Sequence, residues 1–417
     1  MTDLPSGWEW VRLGDLLAEL RNGVFASRPG LEDTGRPILR ISAVRSMAID
    51  LQDVRYIPPT VNIAKESDFY IGQDDLLFTR YSGSPEFVGV CARVRSQVPR
   101  LLYPDKLIRG RVKPGVAHPA YIEAAMSAPQ TRDAVRLLLK TTAGQIGISG
   151  ASLRAVSIPL APYDEQERIA AAIEEQFSRL DAGVSVLQRA QRNVARLTKS
   201  IILSAIPDEY PEHWKRVTVA DAGEVMLGRQ RSPKYHNGPN MRPYLRVANV
   251  FEDRIDISDV MSMHFDDDEF ARYLVRPGDI LLNEGQSPHL LGRPAIYRGN
   301  PPNVAFTNSL LRFRAGPLVL PAWALLVFRR HMHAKRFMRE SRITTNIAHL
   351  SASRFKSVEF PIPPIREQKS IVAATEESLA ETARIAESVE IQLSRANRMR
   401  SAILASAFAG HLISQGN

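Results

Sequence analysis

A thirteen-residue segment occurs twice in this 417-residue chain, 202 positions apart. Ser157-Ile-Pro-Leu-Ala-Pro-Tyr-Asp-Glu-Gln-Glu-Arg-Ile169 returns as Glu359-Phe-Pro-Ile-Pro-Pro-Ile-Arg-Glu-Gln-Lys-Ser-Ile371. Pro159, Pro162, Glu165, Gln166 and Ile169 match Pro361, Pro364, Glu367, Gln368 and Ile371. The offset runs on without a gap until Ile201-Ile-Leu-Ser-Ala205 falls on Ile403-Leu-Ala-Ser-Ala407. A period this long means one supersecondary plan is used twice. The preceding sections correspond more loosely. Pro5-Ser-Gly-Trp8 echoes Pro211-Glu-His-Trp214, and Ile38-Leu-Arg-Ile41 echoes Tyr244-Leu-Arg-Val247. Asp75-Leu-Leu77 echoes Asp279-Ile-Leu281, and Pro119-Ala-Tyr121 echoes Pro321-Ala-Trp323. The chain reads as a tandem duplication: a variable globular piece (1–155, then 207–358), each followed by a better-matched helical piece (156–206, then 359–417).

From Asp164 to Ile206 there is no proline and one glycine, Gly183. Asp164 with Glu167 resembles a capping box, just after Pro162. The apolar series Ile169, Ile173, Phe177, Leu180, Val184, Leu187, Val194, Leu197, Ile201 and Ala205 alternates three and four. Within it Ile173, Leu180, Leu187, Val194 and Ile201 keep a strict seven-residue step. Ile371, Leu379, Ala386, Val389, Leu393, Ala396, Ile403 and Ala407 continue the pattern in the second copy. Such a narrow seam predicts a coiled coil; the alternative is a pair of long amphipathic helices in an ordinary bundle. Gln191, Thr375 and Thr382 fall at seam positions and should weaken pairing while fixing register. A helix of ~43 residues is ~64 Å long, a spacer rather than a core element. The first helix ends where the second globular piece begins, and that piece feeds the second helix. The helices should therefore run antiparallel, with a globular domain near each end and a pseudo-two-fold axis across the middle.

The globular pieces read as mixed α+β. Candidate strands are Ile38–Ala43, Leu76–Thr79, Val88–Val94, Tyr244–Val250, Asp279–Leu282 and Leu310–Arg314, separated by Gly/Pro/Ser turns. A helix should close each, over Ala120–Lys140 and Pro321–Glu340. Charge separates by piece. The chain is net +9; the globular pieces hold +4 and +6, and the helical pieces together −1. Two basic domains favour a polyanionic partner, and an excess of arginine suits bidentate contacts to phosphate and guanine. A GC-rich genome would also enrich arginine. One cysteine, Cys91, leaves no internal disulfide and fits a reducing cytoplasm. No apolar run approaches a membrane span, and Met1–Ser6 shows no signal peptide.

Catalytic motifs are missing. There is no phosphate-binding glycine loop with its Lys-Ser/Thr. Asn300-Pro-Pro-Asn303 lacks the aromatic of an amino-methyltransferase motif and reads as a polar turn. His331 and His333 have no third ligand at a suitable spacing and read as a solvated helix face. The chain reads as a binder rather than a catalyst, with no cofactor or metal of its own.

Three polar, flexible stretches interrupt the apolar runs in each half. Those of the first half offer Arg21, Asn22 and Arg28; Arg80, Tyr81, Ser82 and Ser84; and Lys140, Thr141, Thr142 and Gln145. Those of the second offer Arg229, Gln230, Arg231, Lys234, Tyr235 and Asn237; Asn283, Gln286 and Ser287; and Thr344, Thr345 and Asn346. They occupy corresponding places in the repeat yet differ in sequence, as two different half-sites would require. Arginine pairs with guanine, Asn or Gln with adenine, and Ser or Thr with phosphate or either base. For each, an exposed loop residue without a contact is the plainer alternative.

The doubled Ile-Pro-x-x-Pro-x-x-Glu-Gln-x-x-Ile segments (Ile158–Ile169, and the copy beginning at Phe360) lead into long helices. Together with Trp8, Trp214, Asp75-Leu-Leu77 and Gly278-Asp-Ile-Leu-Leu282, they resemble the specificity subunit of type I restriction-modification systems over the full length. The first half has an Asp where the second has Gly278, so that turn is expected to differ. The resemblance implies two target-recognition domains, each reading half of a split double-stranded DNA site. It implies two helices in an antiparallel coiled coil on which modification (methyltransferase) subunits dock, two of them expected, joined by restriction (motor-nuclease) subunits. S-adenosylmethionine, ATP and Mg would belong to those partners, and the chain itself would be non-catalytic and cytoplasmic. The alternative is a coiled-coil scaffold joining two binding domains that do not touch nucleic acid.

Overall fold

In the computed structural model both long helices are unbroken, over Tyr163–Ser204 and Ile365–Phe408. The structure describes residues 4–25, 29–31, 33–142, 145–339, 342–344 and 347–412. They form two units: the chain up to Leu187 together with that from Ile391 on, and Gln188–Glu390. Each unit holds one globular domain and parts of both helices.

In the first unit, entry and exit are stitched together. Glu9–Arg12 pairs antiparallel with Ser157–Leu160, so the domain begins and ends side by side. An antiparallel sheet of four strands follows in the order Leu17–Asn22, Leu107–Val112, Leu76–Thr79, Cys91–Arg93. Leu76 and Phe78 face one hydrophobic cluster with Ile108, Tyr121 and Ile122, while Leu77 faces another with Val90, Ala92 and Tyr103. Burial on both faces explains why this strand is continuously apolar instead of alternating. A small sheet, Lys140–Thr142, Gln145–Gly147 and Tyr81–Ser82, sits beyond its end.

The second unit repeats the plan. Lys215–Thr218 pairs with Glu359–Ile362. The four-stranded order is Gly223–Leu227, Leu310–Ala315, Ile280–Asn283, Pro294–Ile296. Its small sheet joins Gly285–Gln286, Ile347–His349 and Arg342–Thr344.

The letters most faithfully duplicated in sequence form the joint between domain and helix. Trp8 Nε1 donates to Glu165 at 3.1 Å, and Trp214 Nε1 to Glu367 at 2.9 Å. Buried Gln166 accepts from the His118 N–H at 2.9 Å and donates to the Ala161 carbonyl at 2.8 Å. Gln368 accepts from the Leu320 N–H at 2.9 Å and donates to the Leu318 and Pro363 carbonyls at 2.8 Å. Each glutamine satisfies backbone groups that the change from strand to helix would otherwise leave buried and unpaired.

The helices pair antiparallel within each unit. In the first, Ile169, Ile173 and Phe177 cluster with Leu404, Ala407 and Phe408, and Ile403 packs against them; Asp181 is ion-paired with Arg400. In the second, Ile202 and Ile206 cluster with Val372, and Ile371 and Leu379 pack against them. Thr375 and Thr382 are buried seam residues, Val389 and Ala396 are buried, and Leu180, Leu187, Val194, Ile201 and Leu393 are half-buried. Two seam assignments change. Leu197 is 48% exposed and Thr198 takes the inner position. Gln191 is exposed, with Ala190 inside, and its amide bonds Glu390 across the helix pair. At 3.6 residues per turn the inner face drifts off a strict seven-residue step.

Other expectations are corrected locally. The helix expected over Ala120–Lys140 is two, Pro119–Ser127 and Pro129–Leu137, because Pro129 cannot continue the first. Pro321–His333 likewise stops early. The strand expected over Ile38–Ala43 ends at Leu39 in a turn of 3-10 helix, as does its copy after Leu245. The turn at Gly278 does not differ in the first half: Asp74 adopts φ 66° and Gly278 φ 94°. Asp75 accepts from the Gly72 N–H and Asp279 from the Arg276 N–H, both at 2.8 Å. Aspartate tolerates the left-handed region well enough to serve.

Candidate nucleic-acid interface

Behind each four-stranded sheet lies the same charged brace. Buried Arg109 donates to Glu19 at 2.9 Å and to the Tyr70 carbonyl at 2.7 Å; Arg111 pairs with Asp75 at 2.8 Å. Buried Arg312 donates to Glu224 at 2.6 Å, and Arg314 pairs with Asp279 at 2.7 Å. The carboxylates beside Arg111 and Arg314 hold their guanidinium pKa values above the ordinary one. These arginines are structural, and part of each domain's positive charge is neutralised internally.

In the first unit the small sheet gathers several of the sequence-derived candidates. Tyr81, Ser82 and Gln145 line one cleft. Arg80 lies 4.8 Å over the Tyr81 ring, and Ser82 Oγ accepts from the Ser84 N–H at 3.1 Å. Lys140 and Thr141 are exposed on the adjoining hairpin, whose strand includes Thr142, a residue whose side chain is outside the described set. Arg21 is engaged elsewhere, 2.9 Å from both Glu19 and Asp68, and Asp68 raises its pKa. Asn22 is exposed and Arg28 lies outside the described residues. The same cleft includes Arg45, Phe87 and Lys106, which sequence reading missed. Each sits at the edge of a short apolar run and reads there as an ordinary boundary residue.

In the second unit the placement is more divided. Arg229 is 4% exposed. It lies between Tyr235 at 3.9 Å and Phe265 at 4.5 Å, donates to Glu269 at 2.5 Å and bonds the His264 carbonyl. It braces the loop from inside. Gln230, Arg231, Lys234 and Asn237 are exposed around half-buried Tyr235, with Lys234 4.7 Å over that ring. Asn283 is fully buried, its amide 3.4 Å from the Val250 carbonyl. Gln286, on the strand beside Ala348, and Ser287, just after it, are half-buried. Thr344 ends a strand, with its side chain outside the described set, and Thr345 and Asn346 lie outside the described residues. A pairing missed from sequence joins His349 to Glu284 at 3.3 Å.

The helix-face reading of His331 and His333 is overturned. His331 is buried, bonds the Glu359 carbonyl at 2.9 Å, and burial pushes its pKa down to about 4. His333 bonds Glu252 at 3.0 Å. Glu252 also receives Arg329 at 2.8 Å, and these partners outweigh burial to lower its pKa. No described helix is long and apolar enough to cross a membrane.

No family model matches the chain. It is 41% identical over 201 residues to the type I restriction enzyme EcoKI specificity subunit of Escherichia coli K12, covering 48% of this chain and 42% of that protein. The alignment therefore spans less than half of that relative's length. With the type I restriction enzyme StySPI specificity subunit of Salmonella potsdam it is 23% identical, across 99% of this chain and 90% of the other. A solved structure concerned with complex assembly and conformational transition of the type I R-M system superposes with a TM-score of 0.71 at 17% identity, over 99% of this chain and all of that one. In sequence the chain is similar to type I restriction enzyme specificity subunits, and in fold to a structure of the type I R-M system.

Proposed function

We propose that the chain reads a bipartite sequence in double-stranded DNA, one half-site per globular domain, as the non-catalytic specificity subunit of a type I restriction-modification complex. One observation carries this reading. The small sheet is built twice on the same topology, while its side chains differ between the copies. A duplicated scaffold with diverged side chains is what two different half-sites need, and the net charge of both domains suits phosphate. On this reading modification subunits dock on the paired helices and restriction subunits join them in the cytoplasm. S-adenosylmethionine, ATP and Mg then belong to the partners. The scaffold reading without nucleic acid leaves the basic character of both domains without a role.

Selection of duplexes from a random pool by the chain with its modification subunit tests this. The expected product is a split motif with a fixed gap. Replacing residues 207–358 with a relative's domain should alter one half of the motif only. A selected pool without sequence preference, or a change in both halves, contradicts the reading.

A further inference from the structure

At the small sheet of the first unit lies a cleft of 280 Å³ with an unusual lining. Arg45 and Lys106 are exposed cations, and no carboxylate is among the described residues that line the cleft. Two aromatic rings do. Phe87 is 45% exposed although the Arg45 guanidinium is 5.1 Å from its centre. The Tyr81 ring packs over its neighbour in the sheet: it pairs with Gly147, where a Cβ would stand 2.6 Å from the ring. Ser82 and Gln145 supply a hydroxyl and an amide to the same space.

A phosphate alone would be served by the cations and gains nothing from an exposed phenyl ring. A paired base edge in a groove cannot enter a concavity. A base swung out of the stack satisfies all three features: rings for its faces, hydroxyl and amide for its edge, cations for its phosphates. We propose that this cleft takes one nucleotide turned out of the target duplex. The base lies against Phe87 and Tyr81, its edge meets Ser82 and Gln145, and Arg45 and Lys106 hold the flanking phosphates. The proposal rests on the first domain binding duplex DNA. No covalent step is involved; the cost is lost pairing and stacking, which a mispaired position lowers.

The test uses the full chain with its modification subunit and the selected duplex. 2-Aminopurine is placed at each position of the first half-site in turn, and mismatches are placed likewise. Apart from the base that the modification subunit itself turns out for methylation, one position should brighten several-fold on binding, and a mismatch there should tighten binding roughly tenfold. Phe87→Ala should abolish that brightening and leave the second half-site preference intact. Phe87→Leu, which keeps volume without a π face, should do the same and guards against misfolding. Arg45→Gln with Lys106→Gln should lower the slope of log affinity against log salt by about two. No brightening beyond the base turned out for methylation, or further brightening that persists in both Phe87 variants, overturns the cleft while bipartite selection stands. A complex that selects no sequence overturns the DNA reading itself, and the cleft with it.

Discussion

The two small sheets solve one packing problem in opposite directions. In the first unit Tyr81 pairs with Gly147, and the ring comes from the strand that follows the four-stranded sheet. In the second, the cross-strand pair at the corresponding place is Gly285 with His349, and the ring comes from the hairpin strand. A Cβ on Gly147 would come within 2.6 Å of the tyrosine; one on Gly285 would be 3.0 Å from the imidazole. Each pair sets a ring over a glycine, in a space that a Cβ would narrow. The preceding residue differs as well, Arg80 against Glu284. The lesson is that the duplicated backbone constrains the sum of side-chain volume across a pair and leaves free which strand supplies the chemistry.

The largest expected effects come from the brace that the units share. Arg109→Met takes from Glu19 its buried partner, leaves it Arg21 at 2.9 Å, and should destabilise the first unit by about 2 kcal/mol. Arg312→Met should cost less, because Glu224 is 50% exposed against 28% for Glu19 and can hydrate. Urea unfolding followed by hydrogen exchange in each unit measures both. Equal losses would mean that solvent access to the carboxylate does not set the cost.

Acid should separate the units next. Burial lowers the His331 pKa from 6.5 to about 4, so between those values the unfolded chain binds more protons than the folded one. Stability of the second unit therefore falls as pH drops through that window, by roughly 3 kcal/mol for this group. Glu252 adds to the loss at lower pH, since its folded pKa is depressed. The first unit buries no histidine among its described residues. Its buried Glu123 has a raised pKa, which makes acidification favourable for that group. Hydrogen exchange at pH 7 and pH 5 should show the second unit opening first, and His331→Met should remove most of the difference. Simultaneous opening with wild-type His331 would contradict the assignment.

Much of this architecture was legible in sequence, and the exceptions are instructive. The duplicated Trp, Glu and Gln were visible as letters, and the Trp–Glu bond, with the glutamine's bonds to backbone beside it, shows why they travel together. The heptad seam matches the inward face at most of its large apolar residues. It failed at Gln191 and Leu197, where a small or polar neighbour, Ala190 or Thr198, turns inward instead. Arg229 looked like a loop cation because its apolar surroundings, Phe265 and Tyr235, are distant in sequence or read as loop residues themselves. Arg45 and Lys106 escaped for the converse reason: they come from separate stretches that only the folded sheet brings to one cleft.

The glycine half of each ring pair offers a smaller, directional test. Gly147→Ala places a Cβ 2.6 Å from the Tyr81 ring and 3.2 Å from the Arg80 carbonyl. It should cost about 1–2 kcal/mol and weaken selection of the first half-site. Gly285→Ala meets only the edge of a half-exposed imidazole and should cost under about 1 kcal/mol. If Gly285→Ala proves the more damaging, His349 is fixed more firmly than Tyr81, and the comparison reverses.

The smallest effect expected is at the exchanged charge. Glu284 faces its partner His349 at 3.3 Å in the bend before a strand that, under the proposed function, approaches a phosphate backbone. A carboxylate there repels DNA, and Glu284→Gln should tighten binding about threefold at low salt. The gain should fade as salt rises, because a rim charge is screened. Arg80→Gln, the mirror change, should weaken binding and lower the salt slope by about one. Both effects concern one half-site each, so duplexes carrying a scrambled first or second half isolate them. The sign of the Glu284 result decides its role. Weaker binding in Glu284→Gln, independent of salt and confined to one base pair, would mean the carboxylate accepts from a cytosine amino group. Glu284 would then be a reader that His349 orients, and the two small sheets would differ in the base they select as well as in the strand that carries the ring.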